Sequence, residues 1–535
     1  MATGRRWSGQ QDPLPKRVSP PSLDPRLHPS PVVLKNIGSN WTLNLVQILV
    51  FMVLTSFTSD ILGDRGYGIW ESIVSATGPL QLLVLGVPMA TVRTISERLG
   101  KGDPSGANQA LGESVSLTII LGLVALLAGL VLYAIFPSLS SGWHLEPERA
   151  YDARTALLIV SINLAIGFAL RLPYAVFDAH HDFVVRNLIM ALGFVTKLGL
   201  TVLLLTWRTE LRVLAAVQVT VALIEFAVAW LVSTRRHAPV RFGLGPISLA
   251  GAKSFLSFSI FAFLLNMGAL LAFRLDAVVI AAFMQPEDVT IYGFGNKIFD
   301  PLINLLLAIG MVVMPMASDL RSRGRADEVR DIFLRWSKIA SIIVLMIGGY
   351  LLVLGPAFLD WWLDPTSRES GRLMQVLMLS FFLFLPVRAV ALPVLMGLGK
   401  PKGPALGLAG MGLANLLLSL SLIGPFGLMG VALGTAIPNV LFGLWFAKVA
   451  CSQLKVSFGE WVAYVLARGL LATVLCTGTL MAVNHQYPIH GFWPLVFAGL
   501  TYVACYLALQ VLFVFRGDRF TDLYALAIAK LRPAS

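Results

Sequence analysis

The stretch Leu111–Pro137, LGESVSLTIILGLVALLAGLVLYAIFP, holds one charge, Glu113, and none from Ser114 onward. A bilayer's hydrocarbon core is about 30 Å thick and takes about 20 apolar residues per helical crossing. A water-soluble domain has no use for so long an apolar run, so this segment is expected to span a membrane. The pattern recurs along the chain between short polar loops. Crossings are expected at 40–62, 67–91, 111–137, 154–177, 184–206, 212–233, 254–284, 289–317, 335–363, 372–397, 403–424, 427–450, 460–484 and 491–515. The count is about fourteen, or twelve if 154–177 and 184–206, which flank the polar Asp178–Asp182, do not span. Composition agrees, with 56% hydrophobic and 13% charged residues and a mean hydropathy of +0.77. The fold class is an all-α polytopic membrane protein.

Lysines and arginines in the loops set the orientation of such a chain. One side collects Arg5, Lys35, Arg93, Arg98, Lys101, Arg235, Arg241, Lys253, the cluster Arg321–Lys338, Lys400, Lys455 and Arg516–Arg532. The opposite loops offer mainly Arg65, Arg149, Arg208 and Arg368, usually beside Asp or Glu. Both termini are therefore expected in the cytoplasm, and the chain in a cell (inner or plasma) membrane. The net charge of +12 lines that cytoplasmic face, and nucleic acid is not expected as a partner. Cys451, Cys476 and Cys505 lie in or beside apolar spans without metal-ligand spacing, and read as packing residues.

Residues 1–35 are rich in Pro, Ser and Arg and read as a disordered tail. They lack a signal-peptide core, so the first helix is expected to act as the insertion signal. Residues 518–535 suggest an amphipathic helix along the interface. An internal repeat lies between. Gly63-Asp64-Arg65-Gly66-Tyr67-Gly68-Ile69-Trp70 opens an apolar helix that ends in Gly86-Val87-Pro88-Met89-Ala90 and a basic loop. About 225 residues on, Glu287-Asp288-Val289-Thr290-Ile291-Tyr292-Gly293-Phe294 opens another, which ends in Val313-Met314-Pro315-Met316-Ala317 and a basic loop. Six crossings separate the copies. An even offset keeps them parallel, as in transporters whose halves are related by an axis along the membrane normal.

Asn36–Trp41, Gly66–Trp70, Arg93–Asp103 and the run from Asp276 through Pro315 and Ser318 resemble bacterial polysaccharide exporters. These are the O-antigen and teichoic-acid type flippases of the multidrug/oligosaccharidyl-lipid/polysaccharide (MOP) superfamily, and the resemblance covers most of residues 35–450. The lipid II flippase branch carries several basic residues early in its first helices, and this chain has none between Lys35 and Arg65. The resemblance implies two pseudo-symmetric six-helix bundles, MATE-like, at 36–235 and 254–450. A cytoplasmic linker at 236–253 would join them, and two additional helices at 451–517 would follow. It also implies transport of an isoprenoid-diphosphate-linked oligosaccharide from the cytoplasmic to the outer leaflet, with glycan polymerase or glycosyltransferases as candidate partners.

Ionisable groups inside crossings cost about 2.5–3.5 kcal/mol each on insertion scales, which marks them as functional candidates. Arg171, Lys197, Arg274, Lys297 and Arg388 outnumber Glu225, Asp276 and Asp300 within the apolar runs. A guanidinium offers phosphate oxygens a bidentate fork, so a cationic cleft suits a diphosphate headgroup. Snorkelling to an interface is the alternative for such long side chains. The expected substrate contacts are Arg274, Arg388, Arg171 and Lys197, with Asn40, Asn44 and Gln47 from the stripe that begins at Asn36 on the first helix. That stripe faces either the cleft or a neighbouring helix. Arg274 and Asp276 point apart on a helix and need separate partners, whereas Lys297 and Asp300 share a face and are expected to pair. Glu225 and Asp276 are candidates for ion coupling. His180-His181 with Asp178 and Asp182 imitates a metal site, but no metal or cofactor is expected.

No Walker A loop, dinucleotide-binding glycine loop or His-Glu-x-x-His motif is present, so the chain does not read as an enzyme. The expected activity is lipid-linked glycan flipping. A cation-coupled multidrug exporter of the same superfamily and a non-transporting scaffold for cell-envelope enzymes are the other readings. The basic surplus favours an anionic cargo over cationic drugs, and a scaffold has no need of buried charge.

Overall fold

Gly63 adopts φ 66°, ψ 169° inside an otherwise continuous helix, α1, from Pro31 to Thr77. Residues with a Cβ take up that left-handed backbone only under strain, and the chain reverses there. The Lys297 ammonium lies 5.9 Å from the Phe51 ring centre and 4.4 Å from that of Tyr67. On a straight helix those two rings would stand about 24 Å apart at 1.5 Å per residue.

The computed structural model describes residues 31–518, apart from 85, 238–239, 247–262, 326, 364–367 and 517. The residues 1–30 of the expected basic tail, the linker beyond 246 and the amphipathic segment from 519 onward lie outside these. Every regular element among the described residues is helical. After α1 come α2 (Val87–Gly100), α3 (Pro104–Leu139), α4 (Pro147–Leu170), α5 (Leu172–Ala179), α6 (Phe183–Leu205) and α7 (Leu211–Arg236). The second half has α8 (Phe263–Phe273), α9 (Asp276–Phe283), α10 (Pro286–Lys297), α11 (Phe299–Ser322), α12 (Glu328–Leu363), α13 (Arg368–Pro386), α14 (Leu392–Gly397) and α15 (Lys402–Gln453). Then α16 (Phe458–Trp461), α17 (Arg468–Gln486) and α18 (Phe492–Leu509) close the chain.

Eleven described helices are long and apolar enough to cross a membrane, or twelve if α8 and α9, bent by 43°, form one span. That count is below the expected fourteen. The difference lies in two continuous elements, Gly38–Gly100 and Lys402–Gln453, each of which exceeds the roughly 20 residues one crossing needs. The second also reverses at a glycine, Gly427, with φ 57° and ψ −137°. Its arms then pack on each other. Asn415 Nδ2 donates to Thr435 Oγ1 at 2.7 Å, and Gly434 sits directly against the Ser419 backbone.

Local signals in the sequence fix the helix starts. Asp103 caps α3 by accepting the Gly106 N–H at 2.8 Å, with Pro104 at the first helical position. That backbone hydrogen bond, with the Ser105 hydroxyl, holds the Asp103 carboxyl below the usual carboxylate range. In the first half α3 packs on α4, α4 on α7, α6 on α1 and α7, and α2 on α3 and α5. In the second, α13 packs on α12 and α15, α11 on α14, and α9 on α15. The main join between the halves is α1 against α10. We propose bundle boundaries at 36–235 and 254–450 on these pairings. Within the linker, Gly245 N–H donates to Gly112 O at 3.0 Å and Ser116 Oγ to Gly245 O at 2.8 Å, which straps residues 240–246 along α3.

The extra C-terminal helices dock on α12. Lys338, read from the sequence as a loop charge, is instead buried at 2% side-chain exposure. Its ammonium donates to Val514 O at 3.1 Å and to the Asp518 carboxylate, between the Tyr464 and Phe515 rings at 4.7 Å each. Position beside a basic loop concealed a lysine that needs a tertiary partner.

The α15 hairpin depends on the missing side chain at Gly434, where a Cβ would lie 2.6 Å from Ser419 N and 2.8 Å from its Cα. Gly434→Ala should force the arms apart and cost about 1–3 kcal/mol, read as a lower Tm of the detergent-solubilised protein. Gly410→Ala, where a Cβ meets open space, should leave Tm unchanged or slightly raised.

Candidate functional site

The two copies of the repeat meet each other. Gln285 and Asp288 form a capping box at the start of α10, in which Asp288 Oδ2 accepts the Gln285 N–H at 2.9 Å, and Pro286 takes the first helical position. Gly68 on the second arm of α1 lies against this turn so closely that a Cβ there would overlap the Pro286 carbonyl. Thr290 Oγ1 donates to Asp64 O at 2.6 Å, and the Tyr67 and Phe294 rings stand 5.4 Å apart.

Three more ties join the halves at the same level. Trp143 Nε1 donates to Ala281 O at 2.8 Å, Gln285 Nε2 to Gly142 O at 3.0 Å, and Arg65 lies 3.6 Å from Glu287. All belong to the end opposite the basic loops. The seam is closed there.

About two helical turns deeper, the seam carries charge. Lys297 Nζ from α10 forms an ion pair with Glu71 of α1 at 2.6 Å and donates to the Tyr67 hydroxyl. Side-chain exposure is 13% for Lys297 and 20% for Glu71. The expected Lys297–Asp300 pair does not form. A turn at Ile298 separates α10, which ends at Lys297, from α11, which begins at Phe299, and Lys297 is taken instead by Glu71 and Tyr67 of α1. Asp300 instead pairs with Arg274 at 3.5 Å, both substantially exposed. Glu71 escaped the sequence reading although it stands inside the 67–91 crossing. The 225-residue offset of the repeat sets Lys297 opposite Ser72, Glu71's neighbour, which was the available signal.

Lys197 on α6 feels the fields of Glu225, Glu71 and Lys297. It has no ion pair or hydrogen bond among the described residues. Glu225 on α7 accepts from the Tyr174 hydroxyl at 3.2 Å and occupies the space that a side chain on Gly193 would fill. Arg171, at the junction of α4 and α5, is exposed and unpaired among the described residues, within the field of Glu225. Arg388 sits in a π-turn at Val387–Ala391, 5.1 Å over Phe273 and 5.9 Å over Phe384, with a buried Nη1 that lacks a partner among the described residues.

The amide stripe divides. Asn40 Oδ1 accepts from Asn187 Nδ2 at 2.6 Å, in a network that includes Ser39 and the Arg186–Asp178 ion pair at 2.5 Å. Asn40 therefore ties α1 to α6. Arg186 and Asn187, near the start of α6, were not singled out in the sequence. Asn44 and Gln47 are exposed, without hydrogen bonds among the described residues.

Asp276 is 3% exposed at the start of α9, just past the break after α8. Its Oδ2 accepts from Tyr292 Oη at 2.6 Å and Thr435 Oγ1 at 2.8 Å. Asn415 Nδ2 donates to Thr435 Oγ1 and to Ala272 O at 3.2 Å. Asp276 Oδ1 and Asn415 Oδ1 are buried without partners among the described residues. Two buried oxygens without donors carry a desolvation cost that a small cation would relieve.

Cationic groups thus stand along a seam between two sets of membrane-length helices, and solved structures agree on the fold. The lipid II flippase MurJ in an inward closed conformation aligns with a TM-score of 0.67 at 13% identity, covering 88% of this chain and 98% of that one. An inward-facing multidrug resistance MATE transporter of the MOP superfamily aligns at 0.61 and 18%, covering 77% and 99%. A MOP superfamily transporter from Pyrococcus furiosus aligns at 0.51 and 17%, covering 80% and 96%. No curated protein matches the sequence. The profile of the family described as polysaccharide biosynthesis protein matches residues 33–321, more than half of the chain. The chain belongs to that family.

The Lys297–Glu71 pair yields a stability test. Lys297→Met strands a largely buried carboxylate and should cost about 3–5 kcal/mol, read as a lower yield and Tm of folded protein. Adding Glu71→Gln should recover most of that loss. A double variant no more stable than Lys297→Met would mean that Glu71 is not the partner.

Proposed function

We propose that this protein flips an isoprenoid-diphosphate-linked oligosaccharide from the cytoplasmic to the outer leaflet of the cell's inner or plasma membrane by alternating access between its halves, with both termini in the cytoplasm. Lys197 carries the reading. A lysine midway along a membrane helix, with no ion pair or hydrogen bond among the described residues and with Lys297 in electrostatic reach, is costly unless it meets water or an anion. Arg171 and the exposed Arg274 add further cationic donors, and Asn44 and Gln47 offer amides to sugar hydroxyls. Membership of the polysaccharide biosynthesis family supports a glycan cargo. The seam is closed opposite the basic loops, which suits a state that receives cargo from the cytoplasm.

With no nucleotide motif in the chain, energy comes from the membrane or from consumption of the product. A diphosphate carries about two negative charges, and each is worth about 2.3 kcal/mol per 100 mV. An inside-negative potential therefore drives the headgroup outward. Asp276 with Asn415, Thr435 and the Ala272 carbonyl supports a second driving force, a coupling cation bound in the second half. Its two buried oxygens without partners among the described residues, Asp276 Oδ1 and Asn415 Oδ1, favour this place over the half-buried Glu225.

Two variants separate cargo from coupling. Arg274→Ala should abolish glycan display at the cell surface without lowering the protein's level in the membrane, and Arg274→Lys should rescue in part, since charge remains but the fork is lost. Normal display by the alanine variant would remove Arg274 from the site. In proteoliposomes, Asp276→Asn should lose any acceleration of flipping by an imposed sodium or proton gradient and keep the response to a potassium-diffusion potential. Gradient acceleration that survives in this variant would exclude Asp276 as the coupling site.

A further inference from the structure

Glu71 and Lys297 belong to different halves, and their ion pair lies directly behind the closed seam. Lys297 is held by three residues of α1: the Glu71 carboxylate at 2.6 Å, the Tyr67 hydroxyl and ring face, and the Phe51 ring face. All of its charge-compensating contacts thus come from across the join. Outward from it, among the described residues, lie the Thr290–Asp64 hydrogen bond, the Tyr67–Phe294 ring contact, the Gly68–Pro286 approach and the loop ties at Trp143, Gln285 and Arg65. The pair is also reachable, with 13% and 20% of the two side chains exposed. Lys197, without a partner among the described residues, lies within the field of both. A polyanion brought to Lys197 therefore arrives beside an ammonium already occupied by a carboxylate.

We propose that Glu71 is a built-in stand-in for the cargo's diphosphate, which displaces it from Lys297 and so releases the seam. This rests on the anionic-cargo reading above. With the seam closed, Glu71 neutralises Lys297 and ties α1 to α10. When a diphosphate bridges Lys197 and Lys297, its oxygens replace the carboxylate, and Glu71 is left unpaired in a region where an uncompensated charge is costly. That cost falls only on the closed seam, because in the open arrangement Glu71 meets water. The cargo thereby binds the open state better than the closed one, and such a differential is the only means by which a ligand shifts a conformational equilibrium. An empty protein keeps its own counter-ion and stays shut, which prevents an ion leak through the seam. An uncharged lipid alcohol cannot compete with Glu71 and does not open it.

The test uses the full chain in proteoliposomes with geranylgeranyl diphosphate as probe and geranylgeraniol as its uncharged control. Cys451, Cys476 and Cys505 are replaced by Ala, and spin labels at Ser141→Cys and Phe283→Cys report the distance across the seam. Without ligand the parent should show the short distance, and the diphosphate, but not the alcohol, should populate a longer one. Glu71→Gln removes the internal competitor. It should bind the diphosphate about tenfold more tightly, since less of the affinity is spent on shifting the equilibrium, and should show part of the long distance without ligand. Lys297→Gln should bind weakly and show no ligand-dependent shift. Glu71→Asp retracts the carboxylate by one methylene and should tighten binding severalfold, which decides the matter if Glu71→Gln does not purify. Unchanged or weaker affinity in the Glu71 variants, with normal binding by the parent, would overturn the competition and leave the cargo reading intact. A parent that binds the diphosphate no better than the alcohol would overturn both.

Discussion

A tight approach between the two halves depends on an absent atom. Gly68 lies so near the Pro286 carbonyl that no side chain fits between them, and that contact sets the spacing of α1 and α10 along the seam. Thr290 reaches Asp64, Tyr67 meets Phe294, and Lys297 meets Glu71 because the backbones come this close. The residues in contact belong to the two copies of the internal repeat, so the seam lies where an axis relating the copies would pass. A symmetric join of this kind can open by rotation of one half against the other without rebuilding either.

Buried charge governs the rest of the arrangement. Each half holds ionisable groups that the hydrocarbon core would reject, and the structure treats them in distinct ways. Lys338 and Asp518 are enclosed between aromatic rings and anchor the extra C-terminal helices. Arg186, Asp178 and Asn187 form a network that fastens α1 to α6 near the basic end. Lys297 and Glu71 pair across the join between halves, whereas Lys197 and Arg171 find no partner among the described residues. Enclosed and fully bonded pairs serve architecture, and charges that lack partners or share them across a moving seam are the ones free to meet a cargo.

Much of the fold was legible because one rule dominates in a membrane: apolar runs of about 20 residues form crossings. The repeat and the helix break near Pro88 could be read in the same way, whereas α11 runs unbroken through Pro315. The reversal at Gly63 was legible as a loop but not as an uninterrupted helical ladder, since φ at a single glycine decides it. The site was harder. Helix periodicity reports neighbours three or four residues apart, so it paired Lys297 with Asp300 and overlooked Glu71, which arrives from 226 residues away. It also assigned the whole amide stripe one fate, although Asn40 bonds to α6 while Asn44 and Gln47 stay exposed. Which residues are costly in a bilayer is a property of composition. Which of them meet is a property of packing.

In the proposed mechanism, cargo leaves only when the seam between the repeat copies opens. A reducible bifunctional thiol reagent joining Ser141→Cys to Phe283→Cys, on either side of the Trp143–Ala281 tie, tests it directly in proteoliposomes loaded with a lipid-linked oligosaccharide and scored for outer-leaflet sugar. Cross-linking should stop flipping and reduction should restore it. Full-rate flipping by quantitatively cross-linked protein would contradict the account.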